Sequence, residues 1–306
     1  MQHRSIGALN VSVVGLGCNN FGGRLDAAAT KTVVDAALDT GIHFFDTADI
    51  YGKTKSEEFL GQALGSRRNK TVLATKFGMP VDDARKGARP AYVRQALEDS
   101  LARLRTDRID LYQLHRPDPE TPIADTLGTL GELVKAGKIR EIGCSNFSAE
   151  QLREAAAAVK SGCARFVSVQ NEYSLLHREP EKGVLAACAH LNLAFLPYFP
   201  LASGMLTGKL RKGQPAPAGS RLSEERFAKN ITPEKLDTVE ALIAFAASKK
   251  RTVLELAFAW LLRQPAIASV IAGATSAAQV HANAAAANWT LSPGELAEIE
   301  KLITPP

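Results

Sequence analysis

The sequence predicts a (β/α)8 barrel, and three observations lead there. Short apolar runs recur along the chain and end at or near Gly17, Asp46, Lys76, His115, Ser145, Gln170, Tyr198 and Gly273. Runs of this kind, bounded by turn residues, read as buried parallel strands. Segments with helical spacing lie between them, giving strand then helix eight times over. The polar residues at the run ends are also spread over all eight units, as a closed ring of loops requires. An open doubly wound sheet is the alternative. It would gather its ligand groups at one switch point, and no G-x-G-x-x-G follows the first run.

Residues 2–12 read as a small hairpin around Gly7, a plug for the barrel bottom. Asp26 to Thr40 carries Val33, Val34, Ala37 and Leu38 on one side, with Gly41 as a C-terminal stop. Pro90 opens a segment with Val93, Leu97, Leu101 and Leu104 at amphipathic helix spacing. Ser148 with Gln151, and Thr252 with Glu255, have capping-box spacing. Thr232-Pro233-Glu234 is another helix opening. Residues 200–231, rich in Gly, Pro and basic residues, form a long insertion between the seventh and eighth units. Ser292-Pro293-Gly294-Glu295 opens an extra C-terminal helix. With no linker or low-complexity tract, residues 1–306 are expected to form one domain.

Composition narrows the function classes. A 45% hydrophobic content over 306 residues supplies one large core. The formal charge is +5 and the pI about 9.0, but the basic residues are scattered. Nucleic-acid binding needs a stripe or patch, so none is expected; a small anionic ligand suits the mild excess. Cys18, Cys144, Cys163 and Cys188 form no close pair and read as reduced thiols. The N-terminus lacks a signal-peptide stretch, and no uncharged apolar run approaches the roughly 18 residues of a membrane span. The expectation is a cytoplasmic protein with no membrane partner. The sequence carries no signal for an oligomeric state.

Four polar residues fall where one reaction centre can form: Asp46, Tyr51, Lys76 and His115. Three end apolar runs, so their side chains are expected to leave the core and face the crevice above the sheet. Tyr51 lies in the loop just past Asp46. A tyrosine hydroxyl has an ordinary pKa near 10 and donates poorly at neutral pH. A nearby ammonium lowers that value by about 1–3, which brings it toward useful general-acid range. Lys76 is expected to supply that charge, Asp46 to keep Lys76 ionised and oriented, and His115 to donate a second hydrogen bond to the substrate oxygen. The histidines do not form ligand sets, so no metal is expected.

A second constellation continues around the ring. Ser145-Asn146 and Gln170-Asn171 offer neutral groups suited to a carboxamide. Tyr198 offers a flat ring for stacking. The stretch Phe199-Pro200-Leu201-Ala202-Ser203-Gly204-Met205-Leu206-Thr207-Gly208-Lys209 offers backbone amides and, with Arg221, cations for phosphates. Gly273-Ala274-Thr275-Ser276 precedes the eighth helix and provides N-terminal amides for another phosphate. The sum suggests an extended dinucleotide lying across the fifth to eighth strands.

These segments resemble the aldo-keto reductase superfamily over nearly the whole chain. The resemblance is carried by Phe44-Phe45-Asp46-Thr47-Ala48-Asp49-Ile50-Tyr51-Gly52, by Ile109-Asp110-Leu111-Tyr112-Gln113-Leu114-His115, and by Gly137-Lys138-Ile139-Arg140-Glu141-Ile142-Gly143-Cys144-Ser145-Asn146-Phe147. Gly208-Lys209 and Gly219-Ser220-Arg221 are similar to elements of bacterial-type reductases and of potassium-channel β-subunit relatives. The resemblance implies a TIM barrel that binds NADP(H) without a Rossmann domain, with a tetrad on Asp46, Tyr51, Lys76 and His115 and Tyr51 as proton donor. It implies a nicotinamide site at Ser145, Asn146 and Gln170 with Tyr198 under the ring. Thr275, Gln279 and Asn283 would meet the 2′-phosphate region, and Lys209 and Arg221 would clamp the cofactor. Three positions depart from the family: Ala282 replaces an acidic residue, and Gly273 and Gln279 stand where many animal-type members carry Lys and Arg. Phosphate recognition then rests more on Lys209, Arg221 and backbone amides, and NAD(H) becomes a second nucleotide to consider. The activity implied is reversible reduction of small-molecule aldehydes or ketones. The alternative is a cofactor-sensing regulatory subunit with slow turnover.

Overall fold

The computed structural model describes residues 1–159 and 163–303. It opens on an antiparallel hairpin, β1 (His3–Ile6) and β2 (Leu9–Ser12). Gly7 turns it with φ of +55°, a left-handed conformation that favours glycine.

Eight parallel strands follow: β3 (Val14–Gly17), β4 (Phe44–Asp46), β5 (Val72–Phe77), β6 (Ile109–Leu114), β7 (Ile139–Ser145), β8 (Phe166–Glu172), β9 (Ala194–Tyr198) and β10 (Val270–Gly273). They pair in the order β10-β3-β4-β5-β6-β7-β8-β9. The last seam is short. Phe195 N–H donates to Ala266 O at 2.7 Å and Phe195 O accepts from Ala268 N–H at 3.2 Å, just ahead of β10. The barrel is thus nearly closed, as the eightfold repeat predicts.

Between the strands run α1 (Ala27–Asp39), α2 (Lys55–Leu64), α3 (Pro90–Leu104), α4 (Ile123–Lys135), α5 (Ala149–Ala157) and α6 (Val184–Leu191). After β9 come the short α7 (Glu225–Ala228), then α8 (Pro233–Ser248) and α9 (Val253–Leu262); α10 (Ala277–Ala286) and α11 (Pro293–Ile303) end the described chain. Unit seven therefore holds two long helices where the repeat needs one, and α8 packs beside α11. The expected starts are present: Asp26 caps α1, Pro90 opens α3, Thr232 caps α8, and both capping boxes form at α5 and α9. Val93, Leu97, Leu101 and Leu104 are all buried.

The core has two layers. Phe44, Val72, Ala74, Leu111, Val167, Leu196 and Ile271 fill the barrel interior, and Ile6, Leu9 and Val11 of the hairpin cap that cluster. A larger shell lies between strands and helices. At the bottom, Asp110 is buried and holds Arg68 at 2.8 Å and Arg140 at 3.0 Å, while its Oδ2 also accepts the Leu73 N–H at 2.9 Å. Among the described residues no helix is long and apolar enough to cross a membrane.

Candidate active site

The C-terminal strand ends converge on a cavity of about 850 Å3, toward the upper end for small-molecule and cofactor sites. Asp46 ends β4, Lys76 is the penultimate residue of β5, and His115 follows β6, with its N–H bonded to Phe77 O at 2.8 Å. The structure brings three of the four predicted residues, Asp46, Tyr51 and His115, to the cavity wall. Lys76 lies one layer deeper and is fully buried.

The expectation that these side chains face the crevice is therefore corrected for Lys76 alone. Lys76 stays inside because Asp46, at the cavity wall, satisfies its charge. Lys76 Nζ donates to Asp46 Oδ2 at 2.6 Å and to Thr47 O at 2.8 Å. Asp46 Oδ1 accepts from Gln113 Nε2 and Gln170 Nε2, both at 3.1 Å. A buried ion pair persists only when its remaining hydrogen-bonding capacity is filled in this way.

Tyr51 arrives from the β4–α2 loop. Lys76 Nζ sits 5.1 Å from the centre of its ring, and His115 meets it edge-on with ring centres 5.8 Å apart and planes at 80°. Burial works against ionisation of the phenol, while the Lys76 ammonium and its hydrogen bond favour it; burial prevails and the Tyr51 pKa is raised. This corrects the expected direction. The pull of Lys76 has the anticipated sign, but burial outweighs it and holds the phenol as the neutral donor. Burial likewise opposes the charge on Lys76, but Asp46 and then Tyr51 outweigh it, so its pKa is raised. His115 goes the other way: burial, then Lys76 and Arg116, push it down to about 2, so its imidazole is neutral. Its Nδ1 is buried with no partner among the described residues.

The predicted second constellation also lines the cavity: Ser145, Asn146, Gln170, Tyr198, Phe199, Pro200, Leu201, Ser203, Gly204, Lys209, Arg221, Gly273, Thr275, Gln279 and Asn283. Leu206 does not; it is fully buried against the barrel shell. Tyr198 Oη donates to Asn146 Oδ1 at 2.8 Å, and Asn146 Nδ2 donates to His115 O at 3.0 Å, which ties the ends of β6, β7 and β9 together. Ser145 Oγ donates to Gln170 O at 2.7 Å. Gln170 has thus turned its amide nitrogen to Asp46, so its carbonyl end is the one left for a ligand. At the eighth unit the Thr275 N–H, expected to be available to a phosphate, is taken by Gln279 Oε1 at 2.8 Å.

Backbone strain concentrates on this wall. Phe199, Ala202, Ser203 and Gly204 all have positive φ. Left-handed conformations at three residues with a Cβ are uncommon and gather at ligand sites. Arg221 Nη2 reaches Asn19 Oδ1 at 3.3 Å and Asn20 Oδ1 at 3.2 Å, and its guanidinium lies 5.4 Å from the ring centres of Phe199 and Phe227. The insertion is thereby strapped across the mouth to the first βα loop.

Sequence reasoning missed Gln113, a neutral residue inside an apolar strand; its position two residues before His115, hence on the same face of the strand, was the available signal. It also missed Arg24, which donates to Gly219 O, and Arg116. Met79, from the β5–α3 loop, and Leu222, from the insertion, also reach the wall. Cys18 lines the floor, buried, and burial pushes its thiol pKa well up.

A barrel of this order with this cavity at its C-terminal end defines an oxidoreductase-like site, and comparison with known proteins identifies it: the chain belongs to the aldo/keto reductase family, whose model matches residues 13–304. It is 34% identical to aldo-keto reductase YhdN of Bacillus subtilis, over 99% of this chain and 94% of that protein. It is 33% identical to a protein of Arabidopsis thaliana described as a probable voltage-gated potassium channel subunit beta, over 99% and 97%. Among solved structures it resembles the glycerol dehydrogenase AKR11B4 of Gluconobacter oxydans with a TM-score of 0.85 and 30% identity, covering 98% of this chain and 94% of that one. The family and these relatives make the chain a carbonyl oxidoreductase of a class that uses nicotinamide cofactors.

Proposed function

We propose that the protein is an NADPH-dependent reductase of aldehydes and ketones with Tyr51 as the proton donor. The observation that carries this reading is the Tyr51 ring held 5.1 Å from an Lys76 ammonium that is itself locked to Asp46, all under one open cavity. Lys209 and Arg221 give the wall cations for phosphates, the strained turn at 199–204 gives close backbone approach, and the buried Asn283 gives a polar contact at the far end. These groups suit a phosphorylated dinucleotide, and NADP(H) more than NAD(H).

When bound, the reduced nucleotide supplies the hydride that goes to the carbonyl carbon. The chain does the rest. Tyr51 donates its proton to the carbonyl oxygen as negative charge develops there. Lys76 stabilises the phenolate that remains, and Asp46 keeps Lys76 charged and aimed. Neutral His115 hydrogen-bonds the same oxygen and fixes the substrate's orientation. Asn146 and Tyr198 hold the rim around the reacting atoms, and the Arg221 strap shields them from water.

Loss of the reduced-nucleotide absorbance with a panel of aldehydes tests this reading. Turnover with NADPH, faster than with NADH, is expected. Arg221→Ala and Lys209→Ala should raise the KM for NADPH by about tenfold, the loss of one charge-assisted contact, and narrow the preference over NADH. A second reading, a nucleotide-binding regulatory subunit, is supported by the plant relative. Tight nucleotide binding with negligible turnover on every aldehyde would favour it.

A further inference from the structure

The cations on the cavity wall are unevenly placed. Arg24, Lys209 and Arg221 stand on the arc between β9 and β3, where they face the proposed phosphate positions. Arg116 stands apart, directly after His115 at the end of β6, and is exposed. It lines the cavity together with His115 and Tyr198.

Among the described residues it makes no ion pair. Asp118, the next acid in the chain, accepts from the Ala88 N–H at 2.7 Å, the Glu120 N–H at 3.0 Å and Thr121 Oγ1 at 2.8 Å. Glu172, paired with Tyr198 across β8 and β9, is not among the cavity-lining residues. Among the described residues the one carboxylate on the cavity wall is Asp46, already matched by Lys76 at 2.6 Å. Among the described residues, the wall beside His115 thus presents the Arg116 guanidinium with no carboxylate of its own to meet it.

We propose that Arg116 is a specificity residue that selects carbonyl compounds carrying an anionic group, a carboxylate or a phosphate, a few bonds from the reacting carbon. This rests on the reductase reading above. A guanidinium presents a planar fork matched to either anion. A positive cleft also raises the local concentration of anionic ligands.

The test compares kcat/KM at saturating NADPH for two charged and neutral pairs: para-carboxybenzaldehyde against its methyl ester, and glycolaldehyde phosphate against glycolaldehyde. It uses the intact protein, Arg116→Gln and Arg116→Lys. An exposed side chain without an ion pair is a benign place to substitute. The charged member of at least one pair should be favoured by about tenfold, between what an exposed and an enclosed charge pair yield. The pair that shows the preference names the anion. Arg116→Gln should bring that ratio near one, Arg116→Lys should keep most of it, and added salt should erode it. Equal rates on both members of both pairs overturn the proposal and leave the reductase reading standing. A preference that survives Arg116→Gln overturns the role of Arg116. No turnover of any aldehyde overturns both readings.

Discussion

Lys76 Nζ lies 2.6 Å from Asp46 Oδ2, and both side chains are buried beneath Tyr51. The pair is joined across neighbouring strands, since β4 and β5 are in register there. It fixes an ammonium under the phenol that the proposed mechanism makes the proton donor. The expected consequences follow from that arrangement and from the other buried charges around it.

Asp46→Asn removes the carboxylate that raises the Lys76 pKa, so burial then prevails and Lys76 loses its proton at lower pH. The kcat is expected to fall by about 10², within the range for a disabled acid–base group, and its alkaline limb should move to lower pH. A pH profile of kcat for the two proteins checks this. An unchanged alkaline limb would separate Lys76 from the proton donor.

His115 takes up a proton at about 2 in the folded protein, against an ordinary 6.5. The unfolded chain therefore binds more protons, and this residue's contribution to stability, full above pH 6.5, is lost as the pH falls toward 2. Denaturant titrations of His115→Gln should show a shallower loss of stability below pH 6.5 than the parent. Within the working range the imidazole stays neutral, so kcat/KM should show no step near 6.5 from this group.

Asp49 has both carboxyl oxygens buried without a hydrogen-bond partner among the described residues. Burial, then Glu57, raises its pKa to about 8. Its contribution to stability is present below the ordinary carboxyl value of 3.8 and is lost as pH rises through 8. Asp49→Asn should therefore stabilise the protein at pH 8 by about 1–3 kcal/mol, the range for a buried polar group without a partner, and by less at pH 4. A melting series across that window decides it.

Asp110 holds two arginines and a backbone N–H at the barrel bottom, far from the cavity wall. Asp110→Ala leaves Arg68 buried without its counter-charge, and should lower stability by about 3–5 kcal/mol. The KM values of the folded fraction should stay near the parent's. A stability loss below about 1 kcal/mol would show the cluster to be dispensable.

Much of the fold was legible because strand ends and helix starts are written locally. The runs ending at Asp46 and Ser145 stop where β4 and β7 stop, and the Ser148 and Thr252 capping boxes form as spaced. The hairpin around Gly7 was legible for the same reason. The depth of Lys76 was not, because burial of a charge depends on partners from Thr47 and Asp46 that only the closed barrel brings within reach. The upward shift of Tyr51 was hidden for the same cause: pairwise charge can be guessed from a motif, whereas desolvation depends on the whole cavity. Gln113 escaped because it carries no charge to mark it within an apolar run, although its spacing from His115 gives its face. Two helices in unit seven also escaped, since their openings at Thr232 and Thr252 do not say which one completes the repeat.

The central claim is that Tyr51 gives up the proton. Tyr51→Phe keeps the ring beside His115 and above Lys76 and removes only the hydroxyl. The measurement is kcat for an aldehyde at saturating NADPH, alongside nucleotide binding followed by fluorescence. We predict a fall in kcat of about 10² or more with nucleotide affinity close to the parent's. Turnover within about threefold of the parent, far short of a lost general acid, would contradict the account.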